Sequence, residues 1–212
     1  MATKIVTKNS STASAVPTAS DLVQGELAVN VADKRLFTED NAGAIVELGT
    51  NPTSLTVSGS LSTPTAGTSN FRAGVNAGNS IVSGGNYNTV VGDEAGTAIT
   101  TGDYNTAVGA NSLSADTLGS RSVALGFNAL AVQNFTSATD AYNVAVGHNA
   151  GVSMSTGTNN TLIGGIAGGA NTTADNNAAV GYAALTANTI GFNNTAVGSL
   201  CLDAMVSGDY NV

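Results

Sequence analysis

An aliphatic residue followed by glycine recurs at Val91-Gly92, Val108-Gly109, Leu125-Gly126, Val146-Gly147, Ile163-Gly164, Val180-Gly181 and Val197-Gly198. The glycines are spaced 17, 17, 21, 17, 17 and 17 residues apart. Only the fourth unit carries an insertion, four residues around Gln133 to Asp140. Four residues before each glycine stand Asn88, Asn105, Ser122, Asn143, Asn160, Asn177 and Asn194. Two before it stand Val90, Ala107, Ala124, Ala145, Leu162, Ala179 and Ala196. A period shared by several columns is the mark of a repeat architecture. Gly208-Asp209-Tyr210-Asn211-Val212 opens an eighth unit whose glycine falls due beyond Val212, so the sequence is expected to continue in a longer protein. A degenerate earlier unit is expected around Ala73-Gly74.

Seventeen residues are too few for a pair of helices, and Gly, Asn and Thr in every unit oppose helix formation. The short β-branched segment Asn105-Thr106-Ala107-Val108 before Gly109 reads as one strand between turns. Asn105 and Ala107 then share one face, Thr106 and Val108 the other. Coils stacked about 4.8 Å apart give each backbone amide a partner above and below. Small Ala and Gly columns allow tight turning, and Asn accepts left-handed backbone or forms ladders along the stack. The expected shaft is a β-solenoid or β-roll over residues 83–212. Leu, Ile, Val and Phe are scarce relative to the 27 Thr, 24 Asn and 20 Ser, so the core is thin. A homotrimer that buries an aliphatic column at its axis would supply what one chain lacks.

The rest of the chain differs. Residues 1–50 carry four basic groups against six acidic, while residues 86–212 carry Arg121 alone against eight acidic. Such a break marks modules with different jobs. Residues 1–15 read as an extended polar arm. Glu26–Val31, Arg35–Thr38 and Ala44–Leu48 read as strands of a small β-meander, with Ala32-Asp33-Lys34 and 39–43 as turns. Leu22, Leu27, Val29, Leu36 and Phe37 are concentrated in it, and about 30 residues bury too little to cover them all. They are the candidate virion-attachment and trimer-interface residues, with Phe37 expected to pack beside Leu27 and Val29. Residues 51–82 form a Thr, Ser and Gly-rich neck, where Leu55 to Leu61 alternates like a strand of a β-prism.

The units Gly102-Asp-Tyr-Asn-Thr-Ala-Val-Gly109 and Gly191-Phe-Asn-Asn-Thr-Ala-Val-Gly198 resemble the Gly-x-x-Asn-Thr-Ala-x-Gly repeats of bacteriophage tail fibres, and more loosely the heads of trimeric autotransporter adhesins. Leu22-Val-Gln-Gly-Glu-Leu-Ala-Val-Asn30 onward to Phe37 resembles the N-terminal virion-attachment segment of phage tail fibre and tropism proteins. The resemblance implies a structural tail fibre protein, all-β and trimeric, made in the host cytoplasm and incorporated into the virion. Residues 1–50 would dock on a tail or capsid protein, and a host cell-surface receptor would be engaged beyond the end of this chain. A capsid-decorating head fibre and a bacterial trimeric surface adhesin are the alternatives. The start of the sequence lacks the apolar run that export of an adhesin requires.

Chemistry is thinly represented. The net charge of −8 opposes backbone binding to nucleic acid, and no apolar run approaches a membrane span. His148, the single histidine, falls in a variable column, and Cys201 in a column otherwise holding Ala or Ser. Asp103, Asp175 and Asp209 share the column six before the glycine, but Asp103 and Asp175 lie about 19 Å apart along the stack, too far for a paired-carboxylate site. Asp93 and Glu94 are neighbours whose side chains diverge. The acids follow no calcium-binding repeat, and Gly164-Gly165-Ile-Ala-Gly168-Gly169 lacks the lysine of a phosphate loop. No catalytic residue, cofactor or metal is expected. Tyr87, Tyr104, Tyr142 and Tyr210 form a column that reads as a stack on the wall or a sugar-stacking strip.

Overall fold

The structure, a computed structural model, describes residues 8–24, 26–32, 35–39, 41–47 and 66–212. It is all-β, with a first compact unit over Met1–Ser60 and a second over Leu61–Val212. The expected strand within the neck, Leu55 to Leu61, lies outside the described residues, as does Leu48.

The first unit is a four-stranded sheet in the order β1 (Lys8–Ser10), β2 (Leu27–Asn30), β3 (Arg35–Glu39) and β4 (Ile45–Glu47). The meander is β2 to β4. The polar arm adds a strand to it, because β1 pairs parallel with β2. Nothing apolar signals β1; polar contacts hold it. The Val31 amide donates to the Ser10 carbonyl at 2.9 Å, and Asn30 Nδ2 donates to the carbonyls of Thr12 and Ala15 at 3.0 and 2.9 Å. Lys8 pairs with Glu26 at 3.1 Å.

The hairpin register corrects the expected packing. Asn30 pairs with Arg35, leaving a four-residue connection, so Val29 faces Leu36 and Ala28 faces Phe37. A turn of Ala32-Asp33-Lys34 would have paired Val29 with Phe37. One residue of slip reverses which face every side chain takes. Phe37 is buried with Leu22, Ala28 and part of Ile45, on the face opposite Leu27 and Val29.

The second unit begins with the degenerate coil, where β5 (Phe71–Ala73) heads an eight-stranded parallel sheet. It continues through β6 (Thr89–Val91), β7 (Thr106–Val108), β9 (Val123–Leu125), β11 (Val144–Val146), β12 (Thr161–Ile163), β13 (Ala178–Val180) and β14 (Thr195–Val197). Each strand pairs with the next in the register of the repeat, for example Ala107 with Ala124. Beside the insertion, β8 (Gly119–Ser120) and β10 (Thr139–Asp140) form a separate parallel pair. The middle residue of each strand from Val90 to Ala196 is fully buried, and the residues flanking it are at least partly exposed. In the degenerate coil of β5, which precedes the first regular coil at β6, Arg72 occupies that inward position, half-buried, and its Nε donates to the Ala77 carbonyl at 2.6 Å.

The buried asparagines form the ladder. Asn105 Oδ1 accepts from the Ser122 amide at 2.9 Å, Asn160 Oδ1 from the Asn177 amide at 3.0 Å, and Asn177 Oδ1 from the Asn194 amide at 2.9 Å. Each Nδ2 donates to a carbonyl fourteen residues on, as Asn105 does to Gly119 at 2.9 Å and Asn177 to Gly191 at 2.8 Å. Other asparagines supply the left-handed corners, among them Asn111, Asn128 and Asn149, with φ between 55° and 56°.

Two further inward columns fill the core. Four residues after the glycine stands either leucine or glycine: Leu113 follows Ala107 and Leu130 follows Ala124, whereas Gly96 follows Val90 and Gly168 follows Leu162. A coil thus carries its bulk on the strand or at the corner, except where Ala145 and Gly151 are both small and Leu130 and Leu162 of the adjacent coils fill the space over Gly151. At Gly168 a Cβ would lie 2.7 Å from Leu162 Cδ2. Leu113 and Gly168 share the same left-handed corner, with φ of 49° and 57°. Leu162→Ala is expected to cost about 2–5 kcal/mol through the cavity it leaves. Gly168→Leu alone should also destabilise, by overlap. The double variant, which reproduces the Ala107/Leu113 arrangement, should recover more than half the loss in a denaturant-unfolding cycle.

Candidate functional site

The candidate attachment residues divide between two faces of the first sheet. Leu22 and Phe37 are internal core, 3% and 2% exposed. Leu27, Val29 and Leu36 are half-buried on the other face, where Val29 and Leu36 sit directly opposite each other. An apolar face left part-open on a small sheet suits contact with another chain. A cavity of about 460 Å³ lies on the Phe37 side, bordered by Lys8, Val16, Pro17, Asp21, Ala28 and Phe37 among others. Lys8 Nζ donates to the Asp21 carbonyl there. Hydrogen bonds from Thr18, first through its amide and then its hydroxyl, hold the Asp21 carboxyl below its ordinary value. Those from Lys8 and the Val23 amide do the same for Glu26.

In the second unit, the possible chemical groups have structural partners. Asp103 Oδ1 accepts from the Asn86 amide at 2.6 Å, Asp175 Oδ1 from the Thr158 amide at 2.6 Å, and Asp209 Oδ1 from the Phe192 amide at 2.9 Å. These carboxylates clasp successive coils. Glu94 accepts from Asn76 Nδ2 at 2.6 Å. His148 is exposed and stacks on Phe127 with centroids 5.4 Å apart. Cys201 packs on the core in the last coil, partly buried.

The tyrosine column is a stacked wall from Tyr87 to Tyr142, while Tyr210, 72% exposed, meets Phe192 edge-on. Tyr87 and Tyr104 lie face to face at 4.9 Å and 6°. The Arg121 guanidinium covers the Tyr104 ring at 4.9 Å, approaches Tyr142 at 5.9 Å, and pairs with Asp140 at 2.9 Å. Ring faces occupied by neighbours in the column are not offered to a sugar, which stacks on a face.

A buried polar cluster escaped the sequence reading. Asp116, Ser122, Gln133 and Asn143 are all fully buried. Asp116 and Gln133 stand seven residues after their glycines, where other coils carry Ile99, Met154 and Met205 or the buried amides Asn171 and Asn188. Gln133 Nε2 donates to Asp116 Oδ2 at 2.6 Å and to Ser122 Oγ at 2.9 Å, while its Oε1 accepts from Asn143 Nδ2 at 2.8 Å. Asp116 Oδ1 accepts from the amides of Gly119 and Phe135 at 3.0 and 3.2 Å. The one detectable signal was a charged residue in a column otherwise uncharged.

Burial raises the Asp116 carboxyl above its ordinary value despite these hydrogen bonds. Its folded pKa therefore exceeds its unfolded one, near 3.9. Its ionised form weakens the fold, and stability is gained as pH falls from above the raised value toward that of the free carboxyl. Asp21 and Glu26 act oppositely, their contribution being lost as pH falls through their lowered values. Mild acid is thus expected to raise the unfolding temperature of the second unit, and Asp116→Ile to remove that rise, in calorimetry across this window.

Among the described residues, no group of three or more His, Cys, Asp or Glu side chains is placed to hold a metal ion. No described helix is long and apolar enough to cross a membrane.

No protein-family model matches the chain, and no solved structure matches it. The chain is 51% identical over 41 residues to the long tail fiber protein Gp37 of Enterobacteria phage T2, and 52% identical over 42 residues to that of Escherichia phage AR1. These stretches make up 19% and 20% of this chain but only 3% and 4% of the relatives, so the chain spans a small part of the length of the curated proteins it matches. Partial likeness to long tail fibre proteins and a fold of stacked parallel coils together fit a component of a phage fibre.

Proposed function

We propose that the chain is a structural fibre protein of a phage tail, a homotrimer held on the virion by its N-terminal sheet. The stacked coils serve as a spacer that carries a host-receptor-binding region distal to them. The observation that carries this reading is the outer face of the parallel sheet. The residue before each column glycine, from Val91 to Val197, is aliphatic in all seven coils and at least partly open to solvent. Leu125 is 43% exposed, Ile163 38% and Val197 67%. A regular apolar ridge of this kind on a monomer marks an interface, and three copies around an axis would each cover another's ridge. The coils themselves support a spacer role. Asp103, Asp175 and Asp209 are engaged within the stack, and the uniform columns, poor in aromatic residues, do not suit a selective pocket.

The anchoring role falls to Leu27, Val29 and Leu36, the half-buried face of the first sheet. The test is to assemble virions with Leu27→Ser/Leu36→Ser and count fibres per particle by mass spectrometry. The expected result is a loss of at least tenfold in fibre content, with the second unit still folded by circular dichroism. Phe37→Ser is the wrong probe, since it empties the core of the sheet. Wild-type occupancy in the double variant would place the anchor elsewhere.

A further inference from the structure

We infer that the buried cluster Asp116–Gln133–Ser122–Asn143 is a register lock, which forces the third coil to stack between the second and the fourth. Repeating coils present a hazard that ordinary cores do not. Any asparagine of the ladder accepts the amide of any other, and any inward alanine packs on any other. A chain that skips one coil while folding therefore loses little, and glycine-rich strands specify register weakly. At Asp116 and Gln133 the columns stop being interchangeable, as they do at the buried Asn171–Asn188 pair of the same column, but only the former joins a carboxylate to a break in the ladder.

Three departures occur together. Ser122 replaces the ladder asparagine, Asp116 and Gln133 stand between coils that carry Ile99 and Met154 in their column, and the insertion follows Gln133. Each is unfavourable alone. Ser122 cannot span to a carbonyl as asparagine does, and a carboxylate or an amide set against Ile99 or Met154 in this column would be buried without a side-chain partner there. Side by side they satisfy one another. Gln133 gives its two N–H groups to Asp116 and Ser122 and receives the Asn143 amide. The insertion completes the arrangement, since its Phe135 amide donates to Asp116 and Thr117 Oγ1 donates to the Phe135 carbonyl at 3.0 Å. Looping out the third coil would expel Gln133 and set Asp116 against Met154. Looping out the second would leave Gln133 against Ile99. Either slip strands a buried polar group, which is how buried polar residues fix register in other repeating assemblies.

The lock makes the slipped states poor without making the native state better than an apolar column would. The test separates these. In a Cys201→Ala background of the full chain, cysteines replace Thr106 and Val144. Val123 lies between them in the native sheet, which puts them two strands apart and beyond disulfide reach. They become neighbours when the third coil is skipped. The chain is refolded from denaturant and oxidised, and the intrachain crosslink is read on non-reducing gels. With the cluster intact, the crosslink is expected to be at background. Adding Asp116→Ile, Gln133→Met and Ser122→Asn, which restore the residue types of other coils, should raise it at least tenfold while the β signal is retained. An unchanged crosslink in the regularised chain overturns the inference. So does a regularised chain that fails to fold, because the cluster would then be a source of stability. A second measurement uses unfolding alone: Asp116→Ile and Gln133→Met should each destabilise, and the pair together should be less damaging than their sum. Additive losses contradict the lock.

Discussion

Replacing Gly164 by valine is expected to abolish the native stack around β12. The residue adopts φ of +136°, a region that side-chain-bearing residues avoid. A Cβ there would lie 2.6 Å from the carbonyl carbon of Gly181 in the next coil and 3.2 Å from the Tyr182 nitrogen. Both neighbours are backbone, so no rotamer change relieves the overlap. Nor can the coils part, because the Gly164 amide is held on the Val146 carbonyl at 2.8 Å and the Gly181 amide on the Ile163 carbonyl at 2.7 Å. Strain in this region alone costs about 1–3 kcal/mol. With the overlap the total should exceed about 4 kcal/mol, at the far end of what single substitutions do. Gly165→Ala is the control. Its Cβ would meet only the Tyr182 ring, at 3.6 Å, and the unfolding midpoint should stay close to wild type.

The second large effect is expected at Asn160. Leucine matches its shape but breaks two rungs. The Asn177 amide, now on Asn160 Oδ1 at 3.0 Å, and the Ala174 carbonyl, which accepts Asn160 Nδ2 at 2.7 Å, would both be left without their partner. Asn160 is fully buried, so water does not replace them. At about 1–3 kcal/mol for each orphaned group, Asn160→Leu should cost about 2–6 kcal/mol. Denaturant unfolding gives the total, and hydrogen exchange at the Asn177 amide should report the local opening. Thr161→Ala, one residue away on the outer face, should change stability by less than about 1 kcal/mol.

The contrast between Asn160 and Thr161 also shows what was legible in the sequence. A 17-residue clock with Asn and Ala two apart requires alternation, and alternation places both inward once the segment is a strand. The ladder and the buried alanines were therefore readable. The corner column was not, because its residues answer to the volume of neighbours in their own and adjacent coils and not to residue type. Leu113 and Gly96 look unrelated until Ala107 and Val90 are seen to fill the complementary space. Strand β1 was hidden because Lys8, Asn9 and Ser10 carry no apolar pattern, and only partners such as Glu26 and Asn30 fix it. Phe37 was assigned to the wrong face because the hairpin connection is one residue longer than its turn-forming residues suggest. Among the chemical candidates, Asp103 and Asp175 were read correctly as separate, though their role as clasps on the preceding coil depends on backbone amides that no side-chain pattern reveals. Asp116 was overlooked for the same reason. Its partners are one amide from the next coil and several backbone groups.

Light scattering coupled to size exclusion measures the central claim most directly, since both the spacer role and the aliphatic ridge depend on three chains lying together. The purified chain has a mass of 20.8 kDa, and the expected result is a single species of three times that mass. Replacing Leu125 and Ile163 on the ridge by Glu should shift it toward monomer, while the same change at the outward Thr136 and Ser137 of the insertion should not. A clean monomer that keeps its β signal, with the aliphatic ridge left in water, would contradict the account.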